Sequence, residues 1–452
     1  MNKIFNKTTF LYLISLVSIL LIISFNINNL GFFQTKNNET ISKNSYSYRL
    51  WGSNKFSQLG LKNNFNDKIT FKDKNTIGIE GIENIEESTV VTGYNHSTIL
   101  DKNGRLYSFG DNRSGQIGAG TRLVSYDKVT KNQLLTSVNS ISANQHHTLA
   151  ITKTGDVYGW GLNLSNQLGQ VIPNFEFSTS PVKINFPKNI VSVNAGYRTS
   201  FAITDTGDLW GVGGSCQQSD ADKLKATIDL IGKSATLTGT YYDKLGATAD
   251  EPINYTDCVP QSEVNMNLLA KTPKKIEGLS NVKLVSSGYG HFMAISNDFV
   301  YSWGCNLYGQ LGNGNNENNL NSQKPTIIPN LTNIAQVSSG FRHSLALSNN
   351  GEVFAWGHNG LGELGLGELE LILTPTKLNN IPKMKQVIAS HDYSLAVDID
   401  GNLWGWGENK YGQLSSDKSI TKLSKPTQLT NDTNILRADS KGSFIAILGK
   451  NK

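Results

Sequence analysis

The amino-acid sequence predicts an all-β, seven-bladed β-propeller, closed by pairing of its N- and C-terminal strands and preceded by one N-terminal transmembrane helix. Three observations carry this expectation. One segment recurs seven times at a period near 50 residues, its first and last copies are complementary halves, and an uncharged apolar run precedes the first copy. A fixed period of about 50 residues marks a propeller or a solenoid before any single residue is weighed.

The clearest copy is GFRHSLALSNNGEVFAWGHNGLGELG, from Gly340 to Gly365; others begin at Gly93, Asn144, Gly196, Gly288 and Ser390. The glycines after the aromatic are Gly52, Gly110, Gly161, Gly213, Gly304, Gly357 and Gly407, spaced by 58, 51, 52, 91, 53 and 50 residues. Trp51, Trp160, Trp303, Trp356 and Trp406 precede five of them, and a second large side chain lies two residues further back in most copies. Such alternation reads as a half-buried strand. Upstream, HSLALSNNGEVFAWG from His343 reads strand, tight turn, strand, with Asn350-Gly351 as a hairpin turn in which both residues tolerate positive φ. After the strand comes x-N-x-x-G-Q-L-G, a glycine-punctuated exit. Pro181, Pro273, Pro325 and Pro375 each lie 15 residues before the next copy, which suits the start of an outer strand that needs no ladder donor. Four short strands per period, repeated seven times, make seven blades.

The ends of the chain are out of phase. YSYRLWG, from Tyr46 to Gly52, lacks its preceding strand, and SFIAIL, from Ser443 to Leu448, lacks its hairpin partner. Pairing them completes a blade from both termini and hides two sheet edges at once. The pattern G-x-x-H-S-x-A-L followed by G-x-V-Y-x-W-G-x-N-x-x-G-Q-L-G resembles the regulator of chromosome condensation repeat family, over about Tyr46 to Leu448. The resemblance implies the seven-bladed fold. It does not imply one activity, because relatives include exchange factors for small GTPases, ubiquitin-ligase modules, photoreceptors and secreted β-lactamase inhibitors.

Ahead of the repeats, residues 8–25 (TTFLYLISLVSILLIISF) carry no charge. At about 1.5 Å per residue this length matches the roughly 30 Å hydrocarbon core. No small-x-small cleavage site follows, so an uncleaved signal anchor is expected, with secretion after signal cleavage as the alternative. Lys3 and Lys7 favour a cytoplasmic tail of residues 1–7, a linker over 26–45, and a propeller over 46–449 outside the cytoplasm.

Composition excludes little but bounds the partners. Charged residues make up 17% of the chain and the net charge is +5 without long basic runs, so no electrostatic case for nucleic acid arises. His96, His147, His291 and His343 all occupy the fourth repeat position. Recurrence places each in its own blade, which disfavours a metal or acid–base ring and favours structural bonds from each imidazole to backbone of the adjacent blade. Gly232-Lys233-Ser234 lacks the first glycine of a phosphate-binding loop. No nucleophile–base spacing, cofactor motif or Cys/His zinc pattern occurs, so no catalytic, cofactor or metal residue is assigned and no enzyme is expected.

The symmetry breaks once. Gly213 to Pro273 spans 60 residues, against 20 from Gly161 to Pro181. The insertion, residues 215–272, holds eight acids and five lysines, and Cys216 and Cys258 bracket much of it as a possible disulfide in an oxidising compartment. A neutral loop expansion and a binding excursion are both open readings. The expected function is that of a membrane-tethered, monomeric, non-enzymatic propeller that binds a protein partner outside the cytoplasm. Regulation of a small GTPase by nucleotide exchange, or inhibition of a cell-wall enzyme, are the alternatives.

Overall fold

The computed structural model describes residues 46–61, 68–69, 76–77, 82, 85–121, 123, 125–163, 165–170, 177–214, 272–316, 322–417, 419–430 and 434–450. The expected membrane helix over 8–25, its flanks 1–7 and 26–45, nearly all of the 215–272 insertion and the Cys216–Cys258 pair lie outside these residues. Among the described residues no helix is long and apolar enough to cross a membrane.

Seven antiparallel sheets form, six of four strands and one of five. Blade 5 shows the plan: Ile334–Ser339, His343–Ser348, Val353–His358 and Leu371–Lys377 pair in sequence order. The first strands of successive blades pack on one another. They are Thr89–Thr92, Val138–Asn144, Ile190–Ala195, Val282–Ser287, Ile334–Ser339, Met384–Ala389 and Ile435–Asp439, and the last of them packs back against the first. The first strands therefore surround the axis, and the ring is closed. Blade 7 is built from both ends of the chain. Tyr46–Ser53 pairs with Phe444–Lys450 from Tyr46↔Lys450 to Gly52↔Phe444. The out-of-phase termini thus do what their sequence requires.

The second strands are wholly buried, as in HSLALS of blade 5, because both their faces meet neighbouring blades. The third strands alternate: Phe354 is half-buried while Val353, Ala355 and Trp356 are buried. Trp51, Trp160, Trp303, Trp356 and Trp406 all lie in the core between blades. Four of them carry a repeated bond across the blade boundary. Trp160 Nε1–H donates to the Gln116 carbonyl at 2.9 Å, Trp356 to Gln310 at 2.9 Å, Trp406 to Glu363 at 2.8 Å and Trp51 to Gln413 at 2.9 Å. The acceptor is each time the Gln or Glu of the preceding blade's G-x-L exit loop. The side-chain oxygen of that Gln or Glu accepts from the N–H two residues earlier, Gln310 from Tyr308 at 2.8 Å and Glu363 from Leu361 at 2.9 Å, which fixes the loop and accounts for its recurrence. Replacing Trp406 by alanine removes a buried indole and one of the two bonds to the Glu363 carbonyl, which keeps the Ser394 hydroxyl as donor at 2.7 Å, a loss of about 3–5 kcal/mol. Trp404 is half-buried and bonds Asp398 at 2.9 Å within its own blade. Trp404→Ala is expected to lower the urea midpoint by less than half as much as Trp406→Ala.

Two local expectations are corrected. In the hairpin of blade 5 only Gly351 is left-handed (φ 78°), and its N–H closes a turn on the Ser348 carbonyl at 3.0 Å. The loop is a one-glycine turn with an added residue, so Asn350 needs no positive φ. Blade 4, one residue shorter here, does use a pair with positive φ, Asn297 (48°) and Asp298 (66°). Pro273 stands immediately before its outer strand, Lys274–Lys275, as expected, but the other prolines do not start their outer strands. Pro181, Pro325, Pro375 and Pro426 lie inside them, where the register shifts opposite the core tryptophan. A bulge leaves an unpaired backbone position, which a residue without an N–H fills at no loss.

Candidate functional site

The four repeat histidines are assembled into no common centre. His96 Nε2 lies 3.0 Å from Thr148 Oγ1, His147 from Ser200 Oγ, His291 from Ser344 Oγ and His343 from Ser394 Oγ, all at 3.0 Å. Each therefore reaches a side-chain hydroxyl of the next blade, and His147 and His291 also meet the expected backbone there, at Thr199 and His343. Those hydroxyls donate onward to carbonyls, Ser344 to Gln310 at 2.9 Å and Ser394 to Glu363 at 2.7 Å. A hydroxyl has one proton, so the imidazole must be the donor, with its proton on Nε2. The preceding glycine makes room for the ring: a Cβ on Gly340 would lie 2.4 Å from His343 Cε1. Burial lowers all four imidazoles to about 3. A group held neutral this firmly is a poor base at neutral pH. Among the described residues no cluster of three or more His, Cys, Asp or Glu could hold a metal ion.

The arrangement that faces a ligand lies elsewhere, at the loops joining first and second strands. Their second position holds Tyr94, Gln145, Tyr197, Tyr289, Phe341, His391 and Lys441, one from each blade. These loops meet around the axis. Ring centroids are 4.1 Å apart for Tyr197–Tyr289, 4.2 Å for Tyr289–Phe341, 4.2 Å for Phe341–His391 and 5.5 Å for His391–Tyr94. Backbone bonds hold the loops together, Tyr94 N–H to the Gln145 carbonyl at 3.0 Å and Tyr289 N–H to the Gly340 carbonyl at 3.3 Å. An aromatic collar results, and all its members except Tyr94 line a small axial cavity with Ser287, Ser339 and Ser390.

Around the collar stands a second rank of cations over aromatic faces. The Arg342 guanidinium lies 4.8 Å from the Tyr308 ring and 4.7 Å from Phe341, Arg198 lies 5.3 Å from Tyr197, and Arg113 lies 3.9 Å from Phe56. The exit loops of the third strands share this face, because the residue after each strand glycine bonds the neighbouring collar loop: His358 N–H to the Arg342 carbonyl at 3.0 Å, and Gly214 N–H to the Arg198 carbonyl at 3.2 Å. Gly214 is the last described residue before the insertion. Asp392 is held below its ordinary value: burial would raise it, but His391 paired at 2.6 Å, together with Arg342 and His343, outweighs that. Burial pushes the Lys441 ammonium below the usual lysine value, with Asp439 pulling against it.

Sequence reasoning did not find this collar. Its signal was present as one column of the repeat, aromatic in Tyr94, Tyr197, Tyr289 and Phe341. Aromatic repetition reads equally well as skeleton, and only the topology turns this column toward the axis.

Fold and site together define a closed seven-bladed repeat propeller with an aromatic and cationic axial face. The chain belongs to the RCC1-like domain family, whose model matches residues 47–447. It is similar to the ultraviolet-B receptor UVR8 of Arabidopsis thaliana, 28% identical over 333 residues that cover 70% of this chain and 62% of that protein. It is similar to the X-linked retinitis pigmentosa GTPase regulator homolog of Caenorhabditis elegans, 28% identical over 70% of this chain but only 22% of that one. It is also similar to protein RCC1 of Candida albicans, 24% identical over 70% of this chain and 68% of that one. The chain thus matches less than two thirds of the first two relatives. Prp20p of Saccharomyces cerevisiae shares the fold, with a TM-score of 0.69 at 23% identity, covering 90% of this chain and 92% of that one.

Proposed function

We propose that this chain is a non-enzymatic docking propeller that presents its collar face to a protein partner, tethered by residues 8–25 to a membrane with the propeller outside the cytoplasm. The observation that carries docking is the collar itself: stacked aromatics and arginines on one open face, the side-chain types that dominate binding energy at protein interfaces. The tether is supported by the uncharged run and by Lys3 and Lys7 alone. The 215–272 insertion follows Gly214, which bonds the Arg198 carbonyl at 3.2 Å on that face.

The test uses the full chain as bait on an extracytoplasmic extract. A Phe341→Ala/Arg342→Glu double variant is expected to lower recovery of bound protein at least tenfold, and removal of residues 215–271 to lower it measurably. Equal recovery by the double variant would sink the collar as the docking face. A reporter fused after Lys452 that is active only in the cytoplasm would sink the topology.

A second reading is regulation of a small GTPase. It is favoured by the relatives named as GTPase regulators and by Prp20p, whose crystal structure was described together with its binding to Gsp1p. Under that reading the chain accelerates release of a fluorescent guanine nucleotide from a small GTPase at least tenfold. Under the docking reading the release rate is unchanged.

A further inference from the structure

We propose that the axial mouth of the collar is an acceptor for one carboxylate side chain, Asp or Glu, projecting from an acidic segment of the partner, with Lys441 as its counter-ion. This rests on the docking reading and specifies the partner's chemistry at that site.

Blade 7 breaks the collar. Where blades 4, 5 and 6 place Tyr289, Phe341 and His391 and blade 2 places Gln145, blade 7 places a lysine, and Lys441 lines the cavity together with them. Its ammonium is little engaged: the hydrogen bond it makes among the described residues goes to the Ala389 carbonyl at the 3.5 Å limit. Asp439 attracts the ammonium through space, but among the described residues no carboxylate hydrogen-bonds it, and the acids close to it bond elsewhere. Asp392 pairs with His391 at 2.6 Å, and Asp439 accepts from Thr92 N–H at 2.6 Å and from Thr92 Oγ1 at 2.9 Å. A half-buried ammonium with three donors and one weak acceptor is a site for an anion.

Size decides which anion. The cavity encloses about 20 Å³, room for roughly one or two water-sized groups at about 10–15 Å³ each. Sites for drug-sized ligands and cofactors run from about 300 to 1,000 Å³ and enclose most of the ligand. This space is too small and too open to enclose a nucleotide, but it accepts a carboxylate on a short stem. The aromatic walls suit its methylenes. The source of the carboxylate follows from the surroundings. The mouth opens on a broad face where Arg198 and Arg342 flank the collar, so an acidic stretch engages the rim as its central side chain enters. A free small acid would use only the mouth.

The experiment is anisotropy titration of a labelled (Gly-Glu)6 peptide with the full chain, against a (Gly-Gln)6 control. The Glu peptide is expected to bind at least tenfold tighter than the Gln peptide. Lys441→Met is expected to lose at least tenfold, Lys441→Arg to retain binding, and Arg342→Gln to lose only a few-fold. Gln145→Trp, which narrows the mouth and leaves Lys441 in place, is expected to lose at least tenfold and covers the case in which Lys441→Met fails to fold. Equal binding of the two peptides, or wild-type binding by Lys441→Met or by Gln145→Trp, overturns the proposal. Because the peptide replaces the partner, the two readings fail separately. A mouth that binds the peptide while the collar double variant recovers its partner normally sinks docking at the collar and spares the acceptor.

Discussion

Lowering the pH from 7 to 5 is expected to unfold the propeller, or to bring its urea midpoint close to zero. Each of His96, His147, His291 and His343 is buried neutral, with its affinity for a proton lowered from the ordinary 6.5 to about 3. The sign follows from proton counting. Below 6.5 the unfolded chain binds protons on these imidazoles and the folded chain does not, so stability falls as pH falls. The loss is complete only near the folded value of about 3, and the window opens just below 6.5. At about 1.4 kcal/mol per group per pH unit, each histidine removes on the order of 2 kcal/mol by pH 5, and four remove on the order of 8. That is comparable to the whole stability of a typical protein, about 5–15 kcal/mol. The physical cause is visible at His343. Its Nε2–H is used on Ser394, and its Nδ1 is buried without a partner among the described residues, so a second proton would meet no acceptor there. Asp439 works the other way, since burial raises it, but one carboxyl does not offset four imidazoles. His343→Gln should lower stability at pH 7 and reduce the slope of stability against pH below 6 by about one proton. A urea midpoint that does not move between pH 7 and pH 5 would refute the assignment of these histidines as neutral donors.

How much of this was legible in the sequence depends on the range of the interaction. The repeat, the tryptophan column, the separation of the histidines into their own blades and the complementary termini are periodic or local, and each could be read from Tyr46 to Leu448. What stayed hidden spans blades. His343 and Ser394 are 51 residues apart, and nothing in either hairpin alone says that the imidazole passes over a hydroxyl of the next blade and not a backbone group. The prolines carried the right chemistry, an absent donor, but their place in a bulge is set by the pairing register opposite Trp160, Trp356 and Trp406. The collar was hidden for a third reason. Alternation tells which residues share a face, but a loop residue such as Phe341 has no such period. Lys441 was legible only as an exception, because the column it interrupts had first to be recognised as lining an axis.

Closure gives the largest effect expected from a change at one end of the chain. Deleting Tyr46–Ser53 removes three core side chains, Tyr48, Leu50 and Trp51, and all seven pairs to Phe444–Lys450. It also severs two links to neighbouring blades: the Trp51 Nε1–H bond to the Gln413 carbonyl at 2.9 Å and the Tyr48 hydroxyl contact with Ser88 at 2.6 Å. At about 3–5 kcal/mol for each large core side chain, the loss is on the order of 10 kcal/mol, which few proteins survive. The exposed strand is apolar (FIAILGK), so it would present an unprotected edge to other chains. The deleted chain is therefore expected to lose its cooperative melt and to associate, as read by circular dichroism and light scattering. The matching control keeps every strand and moves the ends. Linking Lys450 to Tyr46 through a short Gly-Ser bridge and opening the chain within 215–271 preserves each pair of blade 7. This permutant should melt cooperatively, within a few degrees of the parent. If pairing of the termini were dispensable, the deleted chain would melt like the parent and stay monomeric, and closure would have to rest on packing of the seven first strands alone.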